Sequence, residues 1–430
     1  MHRKFLIVQV AALGWHLLSD DPLVGMLQFK PADSIFPALT CPVQATMRTA
    51  KLPSDHGMVM NGVYLKNLKR PSFWEQSADL IQGKRIWEDF RKAGKTVGML
   101  FWQQSLGEPV DVLLTPWPVH KHHGGLIDVT YSQPEGLYHL LCDKIKRKFK
   151  LKHYWGPLAQ SQSSKWIVKA TCALMESKSA PDLLFTYLPH LDYCYQKYHK
   201  NHKKCQKSLE LARLWINQLS ELAEKNGYGI LVYGDYAIGE CRQVHYPNRY
   251  LYQSGMMKTR QVQKRHYPDY HRSAAFSVVD HEIAHVYVKN SEHTEHIAEL
   301  LAAMGDGYRV IYGHERIKYC ISNPRSGDIV MVGEPGTWFA YPWWCHFAEA
   351  PDYASHIDIH NKPGYDPCEL FFGRNPFSVS MDTRLIKGSH GAVADSRKIA
   401  WASSYEQLQP IDNLQDLAQA LQQKLNEVAS

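Results

Sequence analysis

Four short apolar runs constrain this chain more than anything else in it: FLIVQV at Phe5–Val10, and the runs Val97–Phe101, Leu183–Tyr187 and Ile230–Tyr233. Each is rich in β-branched, aromatic or long aliphatic residues, is too short for an ordinary helix, and leads into a polar or turn-forming segment. Each therefore reads as a buried strand. Helical spacing fills the gaps. Trp87–Ala93 reads as a short helix stopped by Gly94, and Leu211, Trp215, Leu219 and Leu222 share one face of a helix over Ser208–Lys225 that ends at Asn226-Gly227. Strands alternating with helices indicate the α/β class, in which ligands gather at the carboxyl ends of the strands. The 430 residues suffice for one large domain with insertions, or for two domains.

Residues 36–61, FPALTCPVQATMRTAKLPSDHGMVMN, carry most of the functional signal. Thr40 precedes Pro42 and a helix-spaced series through Val43 and Met47, which sets its hydroxyl at a helix start. Backbone N–H groups and the positive end of the helix dipole suit an anion such as phosphate there. The plainer role is a cap, with Pro42 in the first turn. The segment resembles the nucleophile region of the alkaline phosphatase superfamily, most closely its type I phosphodiesterase/nucleotide pyrophosphatase branch, whose pattern reads roughly FPTxTFPNHxxxxTGxxPxxHGIxxN. Phe36, Pro37, Thr40, Pro42, Thr49, Pro53, His56, Gly57 and Asn61 fall in register without a gap, and Ala50 stands where the family has glycine.

The resemblance implies an alkaline-phosphatase-like α/β/α core of three layers with a mostly parallel central sheet. It implies one such domain over 1–430, with inserted cap-like segments near 106–160 and 255–350. It implies that Thr40 attacks phosphorus, that Asn61 holds phosphoryl oxygens, and that Asp192, Asp235 and His390 ligate metal. Three further ligand positions have changed. Ala11 replaces an aspartate, Gln196 the histidine of Asp-x-x-x-His, and Tyr236 the histidine that follows Asp235. A neutral amide is a poor ligand for zinc, though tolerable around a harder ion. His281, Asp358 and His360 are the candidates to complete the set, and segments like LDYxxQ, DHxxAHVYV and DIHxKPGYDP are similar to those of bacterial superfamily members. The implied activity is metal-dependent hydrolysis of a phosphodiester or nucleotide pyrophosphate, with one divalent ion such as zinc or manganese rather than two. The alternative is a pseudoenzyme that binds a phosphate ligand at a degenerate metal site.

Other patterns carry weaker signals. His281-Glu282-Ile283-Ala284-His285 spells the zinc-protease motif, which requires a helix; the flanks read as strand, where residues four apart lie roughly 13 Å from each other. VHKHHGG (119–125) is either a metal-binding loop or a polar surface. The segment 352–367 is either an ion-binding element or a turn held by polar groups. Residues 245–255 read as a turn with a strand-like piece, the aromatic run 336–347 as a buried wall, and the tail as an amphipathic helix opened by Asp412. The net charge of +7 favours phosphate-bearing partners in general. The basic runs 144–153 and 196–207 fit nucleic acid, acidic lipid or plain solvation. Nine scattered cysteines without a CxxC pair indicate a reducing compartment, and a cytoplasmic protein is expected. The expected partner is a small phosphorylated substrate, without membrane or nucleic acid; the oligomeric state is open.

Overall fold

The computed structural model describes residues 4–122, 125–405 and 410–429. Its centre is an eight-stranded sheet ordered 130–133, 112–116, 97–100, 183–188, 4–10, 228–234, 399–403 and 30–32. The five strands from 112–116 to 228–234 run parallel, and antiparallel strands close both edges. Lys4–Val10 is apolar on both faces because it lies in the interior of this sheet, between Leu183–Leu188 and Tyr228–Gly234. Gln9 is the exception within it, wholly buried yet polar.

Helices pack in two separate groups: Thr40–Thr49, Glu88–Lys92 and Leu414–Ala429 in one, and Gln162–Met175, His190–Lys197 and Lys203–Lys225 in the other. Leu414, Leu417, Ala418, Leu421 and Leu425 form the buried stripe of the tail helix. Its cap is Asn413 rather than Asp412: Asn413 Oδ1 accepts from the Gln415 and Asp416 N–H groups, while the Asp416 carboxylate accepts from Asp412 and Asn413.

A second, antiparallel sheet is ordered 275–280, 283–288, 329–333 and 308–312, and it has its own core of Phe276, Val278, Ala284, Tyr287 and Trp343. Its first two strands form a tight hairpin with His281, at φ 59°, and Glu282 in the turn. The HExxH run is thus a turn and a strand, not a helix. His285 bonds the Val59 carbonyl and the Gly327 N–H, and Glu282 is paired with Arg397, so neither serves protease chemistry. Residues Pro247–Gln253 are a helix, contrary to the strand-like expectation, with Pro247 in its first turn.

Candidate active site

Thr40 is the first helical residue of Thr40–Thr49. Leu39 is the residue before it, and no side chain caps the helix from that position. The free donor at this end is met from elsewhere: Asn61 Oδ1 accepts the Cys41 N–H at 3.0 Å. Asn61 in turn donates its backbone N–H and its Nδ2 to the two oxygens of Asp280, at 2.6 and 3.1 Å. Both ends of the Asn61 amide are therefore engaged within the protein. Burial pushes the Asp280 carboxyl up to about 7, against the opposing effect of the Asn61 donors.

The strand Tyr228–Gly234 delivers Asp235 and Tyr236 at its carboxyl end. Asp235 Oδ2 accepts from Gln9 Nε2 at 2.8 Å, and Oδ1 accepts the backbone N–H groups of Ala12 and Tyr236, each at 3.0 Å. At the position where the family pattern has a further carboxylate, the chain offers the Ala11-Ala12 backbone instead. Ala12, at φ 60°, turns its N–H onto Asp235.

Asp192 lies in the first turn of His190–Lys197, which follows the strand Leu183–Leu188. Gln196 Nε2 donates to its Oδ2 at 2.6 Å and the Tyr236 hydroxyl donates to its Oδ1 at 3.1 Å. Thr40 lies beside the Tyr236 hydroxyl and acts to lower its pKa, against the larger effect of burial. Burial raises both Asp192 and Asp235 to about 7, opposed by these donors.

His390 follows the short strand Gly388–Ser389, donates Nδ1–H to the Ala38 carbonyl at 2.8 Å, and leaves Nε2 3.8 Å from Asp192 Oδ1. His281 donates Nδ1–H to Asp280 Oδ1 at 2.8 Å, and its Nε2 is buried and unpartnered. Four buried rings stand in a column here. Tyr365 stacks on His281 at 3.9 Å and His390 on Tyr236 at 3.4 Å, while His281 and His390 meet at 3.9 Å with their planes tilted by 37°. Tyr365 also donates its hydroxyl to Gln196 Oε1 at 3.0 Å. The network therefore runs closed, from Asp192 through Gln196, Tyr365, His281 and His390 back to Asp192.

The structure brings Thr40, Asn61, Asp192, Asp235, His281 and His390 into one connected site, although 350 residues separate Thr40 from His390 in sequence. It does not join Asp358 and His360 to it. Asp358 accepts the N–H groups of His360 and Asn361 and the Asn361 side chain, and His360 lies 3.8 Å from Glu75. Of VHKHHGG, His123 and the His120 side chain lie outside the described residues.

These residues do not fit a two-ion centre, in line with the expectation of at most one ion, and the positions expected to hold that one ion are already engaged within the protein. Every oxygen of Asp192 and Asp235 already accepts an internal hydrogen bond, and an amide and a phenol stand where two imidazoles would. The tautomers of His281 and His390 leave lone pairs on Nε2, as ligands require, with the two rings 3.9 Å apart and tilted by 37°. Among the described residues no group of three or more His, Cys, Asp or Glu is placed to hold an ion.

Sequence reasoning missed four members of the site: Gln9, Asp280, Tyr365 as the ring beside His281, and Ala12 as a backbone donor. Gln9 had a visible signal, a lone polar residue inside an apolar strand. Asp280 immediately precedes the HExxH run, and nothing local distinguishes it from an ordinary polar residue at the end of a strand.

Comparison with known proteins places this geometry. The solved structures that match include the murine ectonucleotide pyrophosphatase/phosphodiesterase 5, at 14% identity over 98% of this chain and 95% of that one, with a TM-score of 0.60. They include also the phosphonoacetate hydrolase of Sinorhizobium meliloti 1021, in complex with phosphonoformate, at 15% identity over 100% and 96% of the two chains, with a TM-score of 0.62. No curated protein sequence matches. The sequence profile described as type I phosphodiesterase / nucleotide pyrophosphatase matches residues 25–366, most of the chain. With that match, and the same fold in relatives of the alkaline phosphatase superfamily, the chain belongs to the type I phosphodiesterase/nucleotide pyrophosphatase family.

Proposed function

We propose that this protein hydrolyses a small phosphate ester, a phosphodiester or nucleotide pyrophosphate, with Thr40 as the nucleophile. The observation that carries the reading is the Tyr236 hydroxyl, which donates to Asp192 Oδ1 at 3.1 Å and has Thr40 beside it. Family membership and the position of Thr40 at a helix N-terminus support the choice of a phosphoryl group. A solved murine relative described as inactive carries a threonine-to-alanine change and holds AMP, which accords with a threonine-centred reaction.

As Thr40 Oγ forms its bond to phosphorus, its proton moves to the Tyr236 oxygen and the Tyr236 proton moves to Asp192. The bond from phosphorus to the leaving oxygen breaks, and that oxygen keeps the electron pair. Water then attacks phosphorus, the bond from phosphorus to Thr40 Oγ breaks, the proton held on Asp192 returns to Oγ along the same path, and the water's proton leaves with the phosphate product. Members of this family are generally metal-dependent. Because the donor set here does not fit the two-ion centre, no step is routed through a metal.

A second reading is favoured by one specific observation. The carboxylates and the Asn61 amide are already satisfied internally, which suits a protein that binds a phosphate ligand without turning it over. Initial rates on an aryl phosphodiester and a dinucleoside pyrophosphate separate the two, measured after chelation and again with added magnesium, manganese or zinc, beside calorimetry with AMP. Hydrolysis predicts turnover that survives chelation and disappears in Thr40→Ala. AMP binding without turnover in any condition supports the second reading.

A further inference from the structure

The edge strand Thr130–Gln133 and its partner Val112–Pro116 continue past the sheet as a projecting hairpin. Trp117 N–H bonds the Val129 carbonyl, and Val119–His120 pairs with Leu126–Ile127. In this register Trp117 opposes Val129 and Val119 opposes Ile127. Alternation puts all four side chains on one face of the hairpin. That face is apolar and open: the four are 52%, 39%, 49% and 46% exposed. A contiguous exposed apolar strip of this kind marks a contact surface, because scattered single residues would need no explanation but a whole strand face does.

The basic run of the sequence lies beside it. Lys144, Lys146, Arg147, Lys148, Lys150 and Lys152 are all exposed. The run is tied to the hairpin at its base, where the Leu151 N–H donates to Asp128 Oδ2 at 2.9 Å. Its charges are close enough to act together: after burial, Lys152, Lys150 and Arg147 hold the His153 pKa down.

We propose that this hairpin and basic run form a docking surface for a membrane bearing anionic headgroups, with the Trp117–Ile127 face resting in the interfacial layer. Charge complementarity selects this occupant. A second copy of the chain would bring a second set of six cations toward the first. Single-stranded nucleic acid needs aromatic stacking platforms, whereas three of the four strip residues are aliphatic. An apolar element with a Trp and a flanking polybasic segment matches what an anionic interface recognises. No helix among the described residues is long and apolar enough to cross a membrane, so the association is peripheral.

The test is co-sedimentation of the full chain with vesicles of phosphatidylcholine alone, or of equal parts phosphatidylcholine and phosphatidylglycerol. The protein should pellet with the mixed vesicles only, and less as salt rises. Lys148→Glu/Lys150→Glu should weaken binding by about 25-fold or more, at roughly fivefold for each lost lysine. Trp117→Ser/Ile127→Ser should weaken it similarly, and both variants should keep the wild-type AMP affinity and unfolding midpoint. The proposal is overturned by failure to pellet with mixed vesicles, or by pelleting that both variants retain. It is equally overturned by light scattering that shows a dimer lost in the Trp117→Ser/Ile127→Ser protein. Binding to single-stranded RNA that depends on Lys148 and Lys150 but not on Trp117, without vesicle binding, assigns the basic run to nucleic acid instead.

Discussion

Asp192 and Asp235 stand just beyond the ends of two strands that both flank Lys4–Val10, both buried and both raised to about 7, yet they are held in different ways. Asp235 is gripped by two backbone N–H groups and one side chain that sits in the central strand. Asp192 is held only by side chains, Gln196 and Tyr236, both at positions where the family pattern has histidine. Backbone donors cannot turn away, whereas a side-chain amide and a phenol can. On the proposed mechanism the Asp235 arm is structural, and the Asp192 arm, which meets Thr40 through the Tyr236 hydroxyl, is the chemical one.

The largest effect should come from Thr40→Ala, which removes the nucleophile: kcat/KM on a phosphodiester should fall at least about 10³-fold with an unchanged urea midpoint. Residual activity near the wild-type level would break the comparison at its root, because neither arm would then serve Thr40. Next comes Asp235→Ala. It strands Gln9 Nε2 and two backbone N–H groups in the interior, and should cost about 3 kcal/mol in urea denaturation. A loss well below about 1 kcal/mol would show that this arm is not structural.

Tyr236→Phe should behave in the opposite way. Removing the hydroxyl between Thr40 and Asp192 should lower kcat about 10²-fold while stability shifts by roughly 1 kcal/mol or less. Equal rates in the two proteins would take Tyr236 out of the chemistry.

The smallest effect sharpens the Asp192 arm from behind. His190, two residues earlier on the same helix, bonds Ser164 Oγ and the Ser208 carbonyl, and burial lowers its pKa from 6.5 to about 4. The unfolded chain binds the extra proton, so the contribution of His190 is fully present above pH 6.5 and is lost as pH falls toward 4. The stability gap between wild type and His190→Gln should narrow by about 1.4 kcal/mol per pH unit below that point, as urea titrations over pH would read. A gap that stays constant with pH would mean that His190 titrates in the fold as it does in the unfolded chain.

Much of the scaffold was legible. Phe5–Val10, Leu183–Tyr187 and Ile230–Tyr233 announce strands because burial on both faces leaves unbroken apolar runs, and Leu414 to Leu425 announce a helix by their spacing. Residues 245–255 misled because tyrosines favour strands, while the counter-signal, Pro247 at a helix start, is a local one that tertiary packing had to support. At the site, the exchanges at Ala11, Gln196 and Tyr236 were visible as departures from a pattern. What could not be read was their joint consequence. A tyrosine alone does not reveal that its hydroxyl will bridge Thr40 and Asp192, nor that its ring will close a column with His390, His281 and Tyr365. Those contacts join residues 44 to 196 positions apart, and no local rule encodes them.

The most direct test of the account is acid-quench mass spectrometry of the chelator-treated protein mixed with an aryl phosphodiester. The account predicts a phosphoryl ester on the peptide that contains Thr40, formed within the first turnover and lacking in Thr40→Ala. A bound, uncleaved ester with no modified peptide would contradict it and leave a protein that holds its ligand without attacking it.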